Sequence, residues 1–247
     1  MLCRIEADHD PVSTSKMIDS IFSNGFKVVH VVRDNFDDIT EFYTEAAQEL
    51  GEHAPMEEDP SGEKTGSIHT HIKHPWHTTS NSYSHSDTRQ PFHTDGSYES
   101  NAPQISYFFC KERAKYGGST IFIENHILMD ILSEYDSDLL KSLQSTEITF
   151  SKGSDSKTKP IIDPSLNLTW NWHRCDQSLL LNKKFNEFLE KKVFESGCYE
   201  SINLKTGDAL FFMDEEVLHG RHGFIGSRWL VKGGIYYERQ RAFRKTE

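Results

Sequence analysis

The sequence predicts an α+β fold whose core is a β-sandwich of the jelly-roll type. Two helical segments come early, and many short β-branched runs separated by turns follow, with further helices inserted between them. Elements in that order favour sheets packed face to face with helices beside them. A jelly roll satisfies the pattern, because two facing sheets bring side chains from distant strands to one open end.

The N-terminal part shows helix, strand and helix in turn. Residues 13–23 carry apolar side chains at helical spacing and predict a helix. The β-branched run at residues 26–32 predicts a strand. Residues 34–51 present one apolar stripe and predict a second helix, for which Gly51 is the expected stop.

Residues 52–90 differ in character, because they are rich in Ser, Thr, Pro, Gly and His and show little periodicity. Such a segment inside a domain is typical of a functional lid, here with short strands. Beyond it, apolar patterning predicts the remaining elements. The predicted strands are residues 104–110, 120–123, 147–150, 166–172, 199–204, 209–212 and 228–237. The predicted helices are residues 126–143, broken near Tyr135-Asp136, and residues 185–194.

Length and charge limit the domain organisation and the partners. At 247 residues the chain fits a single domain, residues 1–247, and it contains no internal repeat or evident linker. The net charge of −11 argues against nucleic-acid and anionic-membrane partners. We therefore expect a small-molecule substrate, and the oligomeric state stays open.

Cysteine usage and the N-terminus indicate the compartment. The 4 cysteines are scattered without a C-x-x-C pair, which is typical of free thiols in a reducing environment. The N-terminal segment carries acidic side chains and lacks the apolar stretch of a signal peptide, and no apolar run approaches membrane-spanning length. These features predict a cytoplasmic protein.

The most informative residues are His93-Thr94-Asp95, followed far downstream by His219 and Arg228. In a strand, His93 and Asp95 project from the same face, so one metal ion can reach both. Two histidines and one carboxylate leave coordination positions open, as Fe(II) oxygenases require for a co-substrate and O₂. Arg228 would supply a planar cation for a co-substrate carboxylate. The set predicts an Fe(II)- and 2-oxoglutarate-dependent oxygenase.

Each part of this motif has an ordinary alternative. An H-x-D triplet alone is weak evidence, since residues 85–87 show the same pattern. His93 and Asp95 would otherwise be a polar pair at a strand end, and His219 a surface histidine in a turn. The combination of the triplet, the distal histidine and the arginine after it favours the metal site.

The residues around these motifs resemble the taurine dioxygenase superfamily of Fe(II)- and 2-oxoglutarate-dependent oxygenases. Residues 92–123 and 217–235 carry the likeness, and Gly25-Phe26 before a run of valines is similar to the family's early strand. Residues 218–221, Leu-His-Gly-Arg, are especially similar to the γ-butyrobetaine hydroxylase branch, and the clavaminate synthase branch is similar too. The resemblance implies a double-stranded β-helix, a distorted, cupin-like jelly roll with flanking helices.

The resemblance also implies roles for individual residues. His93, Asp95 and His219 would be the iron ligands and the catalytic centre, where Fe(II) takes 2-oxoglutarate and O₂. Arg228 and Thr120 would hold the far carboxylate of 2-oxoglutarate, although Thr120 could be an ordinary β-branched strand residue. The carboxylate of Asp95 implies hydroxylation or another oxidation and not halogenation, since halogenating relatives have a small residue there.

The expected reaction is hydroxylation of an unactivated C–H bond with release of succinate and CO₂. By family analogy the substrate is a small polar metabolite, an amino acid or amine-like carboxylate. Desaturation or cyclisation on the same iron is an alternative, as is a non-catalytic metal-binding jelly-roll sensor. A zinc hydrolase is not supported, because the sequence has no H-E-x-x-H motif.

The candidates for substrate contact are Arg221, His222 and Trp172. Arg221 and His222 adjoin the distal ligand, and the alternative for both is a pair of solvated turn charges. Trp172 lies in an aromatic run whose alternative is core packing. The histidines within residues 69–77 suggest a second metal, but Pro75 and the absence of cysteine there favour a lid or exposed loop.

Overall fold

Strands dominate the computed structural model, which describes residues 2–34, 38–56, 66–74 and 86–237. These residues form a mixed α+β fold in which two sheets share an apolar core and helices cover their outer faces. The prediction of an α+β fold is therefore confirmed. Within the described ranges, no helix has both the length and the apolar character needed to cross a membrane.

Fifteen strands and five α-helices make up the described part of the chain. The strands are β1 (Leu2–Glu6), β2 (Val28–Val32), β3 (Glu52–His53), β4 (Thr70–His74), β5 (Gln90–His93), β6 (Ile105–Glu112), β7 (Tyr116–Gly117), β8 (Thr120–Glu124), β9 (Glu147–Lys152), β10 (Asp155–Pro160), β11 (Glu200–Ile202), β12 (Ala209–Met213), β13 (Val217–Arg221), β14 (Phe224–Ile225) and β15 (Arg228–Tyr236). The helices are α1 (Pro11–Ser23), α2 (Ile39–Leu50), α3 (Asn125–Tyr135), α4 (Ser137–Ser145) and α5 (Leu180–Phe188). A π-helix, Leu189–Phe194, continues α5, and a 3₁₀ turn, Asp214–Glu216, precedes β13.

The larger sheet has the strand order β1-β2-β12-β6-β15-β3, and β4 also pairs with β15. Its pairings are antiparallel except for that of β1 with β2. The smaller sheet has the order β11-β8-β13-β5 and is antiparallel throughout. Because neighbours in both sheets come from distant parts of the chain, residues far apart in sequence meet between the sheets.

Alternation along the strands separates the space between the sheets from the outer faces. On β13, Leu218 packs outward with the helices, whereas Val217 packs inward with residues of the larger sheet. The ring centroids of Phe108 and Phe212, both on the larger sheet, are 5.5 Å apart, and Phe122 of the smaller sheet lies 5.4 Å from Phe212. Every second residue of these strands therefore points into the space that the two sheets share.

The helices cover the outer faces of the sheets. Tyr43 of α2 stacks on Phe109 of the larger sheet with ring centroids 5.5 Å apart, and Ile18 of α1 joins the same buried cluster. Leu132 of α3 and Phe185 of α5 belong to the cluster over the smaller sheet. Burial of each large side chain contributes about 2 kcal/mol, so these layers hold the sheets in place.

Capping residues fix where helices begin. The carboxylate of Asp10 accepts the N–H of Ser13 at 2.9 Å, and Pro11 occupies the first turn of α1. Asp136 ends α3 and caps α4, where its side chain accepts the N–H of Leu139 at 2.8 Å. The predicted break near Tyr135-Asp136 is therefore confirmed, because one aspartate stops one helix and starts the next.

The predicted strand at residues 166–172 is wrong. Its backbone groups bond to separate segments and not to one ladder: the N–H of Leu168 donates to the carbonyl of Glu215 at 2.8 Å, and the carbonyl of Trp170 accepts from Thr94 at 2.7 Å. The alternating residue types that predicted a strand do not follow burial in this irregular segment, because Leu166 is exposed whereas Thr169 and Asn171 are buried.

Other boundaries also differ from the predictions. Helix α2 begins at Ile39 and not at residue 34, and α5 begins at Leu180. Strands β1, β10 and β13 were not predicted, since their mixture of polar and apolar side chains carries little alternation. Between residues 52 and 90, β3, β4 and β5 are the short strands expected, whereas residues 57–65 and 75–85 of the predicted lid lie outside the described residues.

Gly233 on β15 marks a close approach to β6. A Cβ at this position would lie 2.1 Å from Cζ of Tyr107, whose side chain is fully buried.

We predict that Gly233→Ala lowers the free energy of unfolding by about 3 kcal/mol, because overpacking forces buried side chains out of their rotamers. Chemical denaturation measures the change. Gly223→Ala is the control, since its Cβ would meet its nearest atom at 3.4 Å, and equal stability of the two variants would contradict the prediction.

Candidate functional site

Strand pairing brings the two predicted histidine ligands side by side. His93 is the last residue of β5 and His219 the middle residue of β13, and the antiparallel register places them opposite each other. Their ring centroids are 4.2 Å apart. His219 also packs against Phe212, with ring centroids 4.8 Å apart, so the pair lies in the space between the sheets.

Asp95 completes a three-residue cluster. Its Oδ1 is 3.9 Å from Nε2 of His93, and its Oδ2 is 3.7 Å from Nε2 of His219. One potential ligand atom from each residue lies within 4.8 Å of the others. No other group of three histidine, cysteine or carboxylate side chains in the described part of the chain is placed to hold one metal ion. The structure thus brings the predicted ligands together, and their binding of iron stays a prediction.

The chain turns immediately after Asp95, which allows its carboxylate to approach both histidines. Gly96 has a φ of 53°, in the left-handed region that glycine tolerates best. A Cβ on Gly96 would lie 2.8 Å from Cβ of Ala102. Both the conformation and the space at this position therefore require glycine.

Both imidazoles of the cluster are buried and neutral. Burial lowers the pKa of His93, although the charge of Asp95 opposes the shift. Burial, reinforced by His93, lowers the pKa of His219 well below its ordinary value. Nδ1 of His93 lies 2.9 Å from the carbonyl oxygen of Pro91, to which only a protonated Nδ1 can donate, so Nε2 carries the lone pair. That tautomer is the one needed to bind a metal through Nε2.

Asp95 is surrounded by a cation and a hydroxyl donor. Nζ of Lys232 lies 2.5 Å from its Oδ1, and the hydroxyl of Ser106 donates to its Oδ2 at 3.0 Å. Burial by itself would raise the pKa of Asp95, but the charge of Lys232 and its hydrogen bond to the carboxylate hold the pKa below its ordinary value. The carboxylate is therefore ionised at neutral pH.

A second buried carboxylate, Asp214, lies behind the cluster. Its Oδ2 accepts the backbone N–H of Asp95 at 2.9 Å, and its Oδ1 is 3.5 Å from Nδ1 of His219. These last two atoms are buried and have no hydrogen-bond partner among the described residues. Burial and the charge of Asp95 raise the pKa of Asp214 well above its ordinary value. Asp214 thus touches two of the three potential ligands.

A cationic pocket adjoins His219. Arg228, the first residue of β15, is 6% exposed and lines a small cavity with Thr120, Arg221 and His219. Within the described residues its guanidinium has one hydrogen bond, 3.5 Å to the carbonyl of Gly118, and no carboxylate partner. Burial, with the charge of Arg221, lowers the pKa of Arg228 to about 9. A buried cation of this kind is a ready partner for an anion.

Arg221 helps to form this pocket and is not a solvated turn charge. It is buried at the end of β13, opposite Thr120 of β8. Its guanidinium donates to the carbonyl of Ser86 at 2.5 Å and to that of Thr88 at 2.7 Å. These bonds hold the side chain within the small cavity that Arg228 also lines.

A larger cavity of about 410 Å³ opens from the cluster of His93, Asp95 and His219. It shares His219, Ile72 and Phe108 with the small cavity, so the two are adjacent. Besides His93, Asp95 and His219, several other polar and charged residues that the structure describes line this cavity: Thr70, Gln90, Tyr98, Glu99, Lys152, Asn171, Arg174 and Lys232.

The structure does not bring the three predicted substrate residues together. Arg221 lines the small cavity and not the larger one. His222 lies just beyond the end of β13, and its Nε2 is 3.3 Å from the hydroxyl of Tyr199. Trp172 packs beside Trp170 with ring centroids 6.3 Å apart. Neither His222 nor Trp172 is among the described residues that line either cavity.

The histidine-rich segment shows no second metal cluster within the described residues. Nε2 of His69 lies 2.9 Å from the hydroxyl of Tyr107, and Nδ1 of His71 accepts the indole N–H of Trp229 at 3.1 Å. His77 lies outside the described residues. The histidines that the structure describes therefore serve the packing of β4 on the larger sheet.

Three residues at the site were not predicted from the sequence. Lys232 follows Arg228 by four positions on one strand, so alternation starting from Arg228 would have placed it on the same face. Asp214 stands in a run of three acids, which gives no sign of burial. Arg174 belongs to an irregular segment whose position depends on distant hydrogen bonds.

Comparison with known families matches residues 21–188 to the family described as taurine catabolism dioxygenase TauD, TfdA family. Comparison with curated protein sequences gave no match.

Solved structures share the fold over nearly the whole chain. The PvcB protein from Pseudomonas aeruginosa is 16% identical with a TM-score of 0.68, over 94% of this chain and 84% of that one. An asparagine oxygenase in complex with Fe(II), 2S,3S-3-hydroxyasparagine and succinate is 12% identical with a TM-score of 0.69, over 94% and 93%. A taurine dioxygenase from Burkholderia xenovorans is 13% identical with a TM-score of 0.65, over 96% and 86%. Because the family match covers more than half of the sequence, the chain belongs to the TauD/TfdA dioxygenase family, as its motifs predicted.

Proposed function

We propose that this chain is an Fe(II)- and 2-oxoglutarate-dependent oxygenase that hydroxylates a C–H bond of a small amino-acid-like substrate. The observation that carries the proposal is the cluster of His93, Asp95 and His219 beside Arg228, a buried cation with no carboxylate partner in the described structure. Family membership supports the same reaction class, as do the Fe(II), hydroxylated product and succinate in the asparagine oxygenase structure.

The donor set suits Fe(II). His93 and His219 are neutral imidazoles and Asp95 an ionised carboxylate, and together they would occupy one face of the ion. When bound, Fe(II) and 2-oxoglutarate supply the activation of O₂ and the oxidation of the substrate, with release of succinate and CO₂. The residues of this chain position the reactants and keep water away from them.

Arg228 and Thr120 would hold the far carboxylate of 2-oxoglutarate. A planar guanidinium binds a carboxylate through two parallel, charge-assisted hydrogen bonds. Arg221, which the carbonyls of Ser86 and Thr88 hold nearby, adds positive potential to the same cavity. Because a buried charge without a counter-charge is unfavourable, binding of an anion would offset the desolvation of Arg228.

Asp214 acts as a positioning residue for two of the ligands. As a carboxylate it accepts the N–H of Asp95 and faces Nδ1 of His219, the arrangement that selects the tautomer with the Nε2 lone pair toward the cluster. A divalent cation at the adjacent ligands favours the ionised form of a buried acid, against the effect of burial.

The larger cavity would take the substrate. Its volume of about 410 Å³ suits a molecule of amino-acid size. Ile72 and Phe108 line the region that it shares with the small cavity, where apolar side chains would exclude water from the reacting bond. Charged and amide side chains of the same lining would supply partners for the polar groups of the substrate.

For the two sheets we propose the double-stranded β-helix, the distorted jelly roll that the family resemblance implies. The chain order supports it, because β5, β8 and β13 belong to the smaller sheet while β6, β12 and β15 belong to the larger one. Successive strands in this part of the chain thus alternate between the sheets, apart from the separate pairs β7–β14 and β9–β10 and the edge strand β11.

The first test of the proposed function is the visible spectrum under anaerobic conditions. Addition of Fe(II) and then 2-oxoglutarate should produce a weak metal-to-ligand charge-transfer band that requires both. His219→Ala should lose the band because a ligand is missing, whereas His222→Ala should retain it because His222 lines neither cavity. A folded wild-type protein that binds iron without showing the band would contradict the proposal and favour a metal-binding sensor.

Arg228→Met should raise the Kd for 2-oxoglutarate about 100-fold. The variant keeps an unbranched buried side chain but loses two charge-assisted hydrogen bonds, which together contribute about 3 kcal/mol. Titration of the charge-transfer band gives the Kd. The Kd of Arg228→Lys should lie between the values of the wild type and Arg228→Met, because lysine keeps the positive charge but lacks the planar guanidinium. Arg113→Met, at an exposed arginine, is the control, and an unchanged Kd in Arg228→Met would remove Arg228 from the co-substrate site.

Asp214→Asn should weaken Fe(II) binding by about 10- to 100-fold, the range typical of residues that orient metal ligands. An amide cannot accept from both Asp95 N–H and His219 Nδ1, so one of the two contacts is lost. Anaerobic Fe(II) titration measures the affinity.

Asp208→Asn provides a matched control for the Asp214 variant. Asp208 is equally buried, lies 3.0 Å from Nε2 of His30 and accepts the backbone N–H of Lys205 at 3.0 Å, but it lines neither cavity. We expect its substitution to leave Fe(II) affinity unchanged. Wild-type affinity in Asp214→Asn, or an equal loss in both variants, would argue against a positioning role.

A further inference from the structure

The described lining of the larger cavity has a positive charge balance in an acidic chain. Of its described lining residues, Lys152, Arg174 and Lys232 are cationic and Asp95 and Glu99 are anionic, whereas the whole chain has a net charge of −11. One Fe(II) ion and one 2-oxoglutarate dianion would leave this balance unchanged, because their charges cancel. A cavity that stays positive when loaded attracts a substrate of net negative charge.

Arg174 is held by a turn that is fixed on both sides. Its N–H donates to the carbonyl of Asn171 at 3.0 Å, and its carbonyl accepts the N–H of Ser151 at 2.8 Å. Just before the turn, the carbonyl of Trp170 accepts the N–H of Thr94 at 2.7 Å, between the two proposed ligands of the first triplet. Hydrogen bonds therefore connect the backbone around Arg174 both to the His93-Thr94-Asp95 segment and to strand β9.

The side chain of Arg174 is placed to receive a ligand. It is half-buried and lines the cavity, with the guanidinium carbon 5.7 Å from the ring centroid of Tyr98. Within the described ranges the guanidinium makes no hydrogen bond and no ion pair, whereas Lys232 is already paired with Asp95 at 2.5 Å. A guanidinium that contacts an aromatic ring through its face keeps its edge donors for a carboxylate.

We propose that Arg174 binds the side-chain carboxylate of an amino-acid substrate, which makes the substrate a small acid of net negative charge. The inference rests on the proposed oxygenase function and names its substrate class. A carboxamide of the same shape cannot accept two parallel hydrogen bonds from the guanidinium, so Arg174 distinguishes the acid from the amide.

Isosteric acid and amide pairs test this inference. L-glutamate is compared with L-glutamine, and L-aspartate with L-asparagine, as stimulators of succinate release from 2-oxoglutarate. In the wild type we expect the acid of a stimulating pair to exceed its amide at least about tenfold in kcat/KM. Arg174→Gln should remove that preference through KM, while the Kd for 2-oxoglutarate, read from the charge-transfer band, stays unchanged. Arg174→Lys should keep part of the preference, and Arg113→Gln all of it.

Each contrary outcome overturns the inference in a recognisable way. A preference for the amides, or an acid preference that persists in Arg174→Gln, would remove Arg174 from substrate recognition. Stimulation by none of the four compounds, in a protein that shows the charge-transfer band, would reject this substrate class and leave the proposed oxygenase standing. Absence of the band in the wild type would instead count against the oxygenase function itself.

Discussion

The pairing of β5 with β13 is the constraint on which the rest of the site depends. This ladder sets His93 opposite His219, and its register then shifts so that Gln90 pairs with Arg221. The irregularity lies on the β5 side, where three positions match two on β13. A bulge of this kind re-aims side chains, and it explains how Gln90 and His93, an odd number of positions apart, both line the larger cavity. Gly220 permits the approach, since a Cβ there would lie 2.8 Å from the Gln90 carbonyl oxygen.

A second set of hydrogen bonds joins the triplet His93-Thr94-Asp95 to segments that are distant in sequence. Thr94 exchanges two bonds with Trp170, as its N–H donates to the Trp170 carbonyl at 2.7 Å and its hydroxyl accepts the Trp170 N–H at 3.1 Å. The carboxylate of Asp214 accepts a hydrogen bond from the backbone N–H of Asp95, the next residue of the triplet. The irregular course of the chain near Trp170 follows from this arrangement, because its backbone groups serve the ligand triplet instead of a sheet. That segment then leads directly into the turn that presents Arg174.

Local signals were enough to predict the elements whose stability is local. The aspartate that separates α3 from α4 and the β-branched run of β2 have this character. Residues 166–172 were predicted as a strand because apolar and polar residue types alternate there, but their hydrogen-bond partners lie in several separate segments. Strand β10 was missed for the opposite reason: it forms a two-stranded hairpin with β9, and its polar side chains give no apolar alternation.

The same distinction applies to the site. His93, Asp95 and His219 were predictable because their residue types and the spacing of the triplet match the needs of one metal ion. Asp214 was not, since an acid gains this role only when folding buries it against Asp95 and His219. Lys232 occupies an intermediate position. Its place on the inward face follows from simple alternation, but its contact with Asp95 depends on how the two sheets pack.

Several of the groups that define the site are incompletely paired within the protein itself. Oδ1 of Asp214 and Nδ1 of His219 are buried without hydrogen-bond partners among the described residues, and Arg228 has no carboxylate there. An unsatisfied buried polar group costs about 1–3 kcal/mol, whereas a whole domain is stable by only about 5–15 kcal/mol. A ligand that binds only the folded state stabilises it, so a metal ion and a dianionic co-substrate would offset this cost. Apolar replacements would pack with less strain, but they would remove the donors and charges that make the cavity a site. The donors and charges that the protein itself leaves incompletely paired are therefore the groups that give the cavity its capacity to bind a ligand.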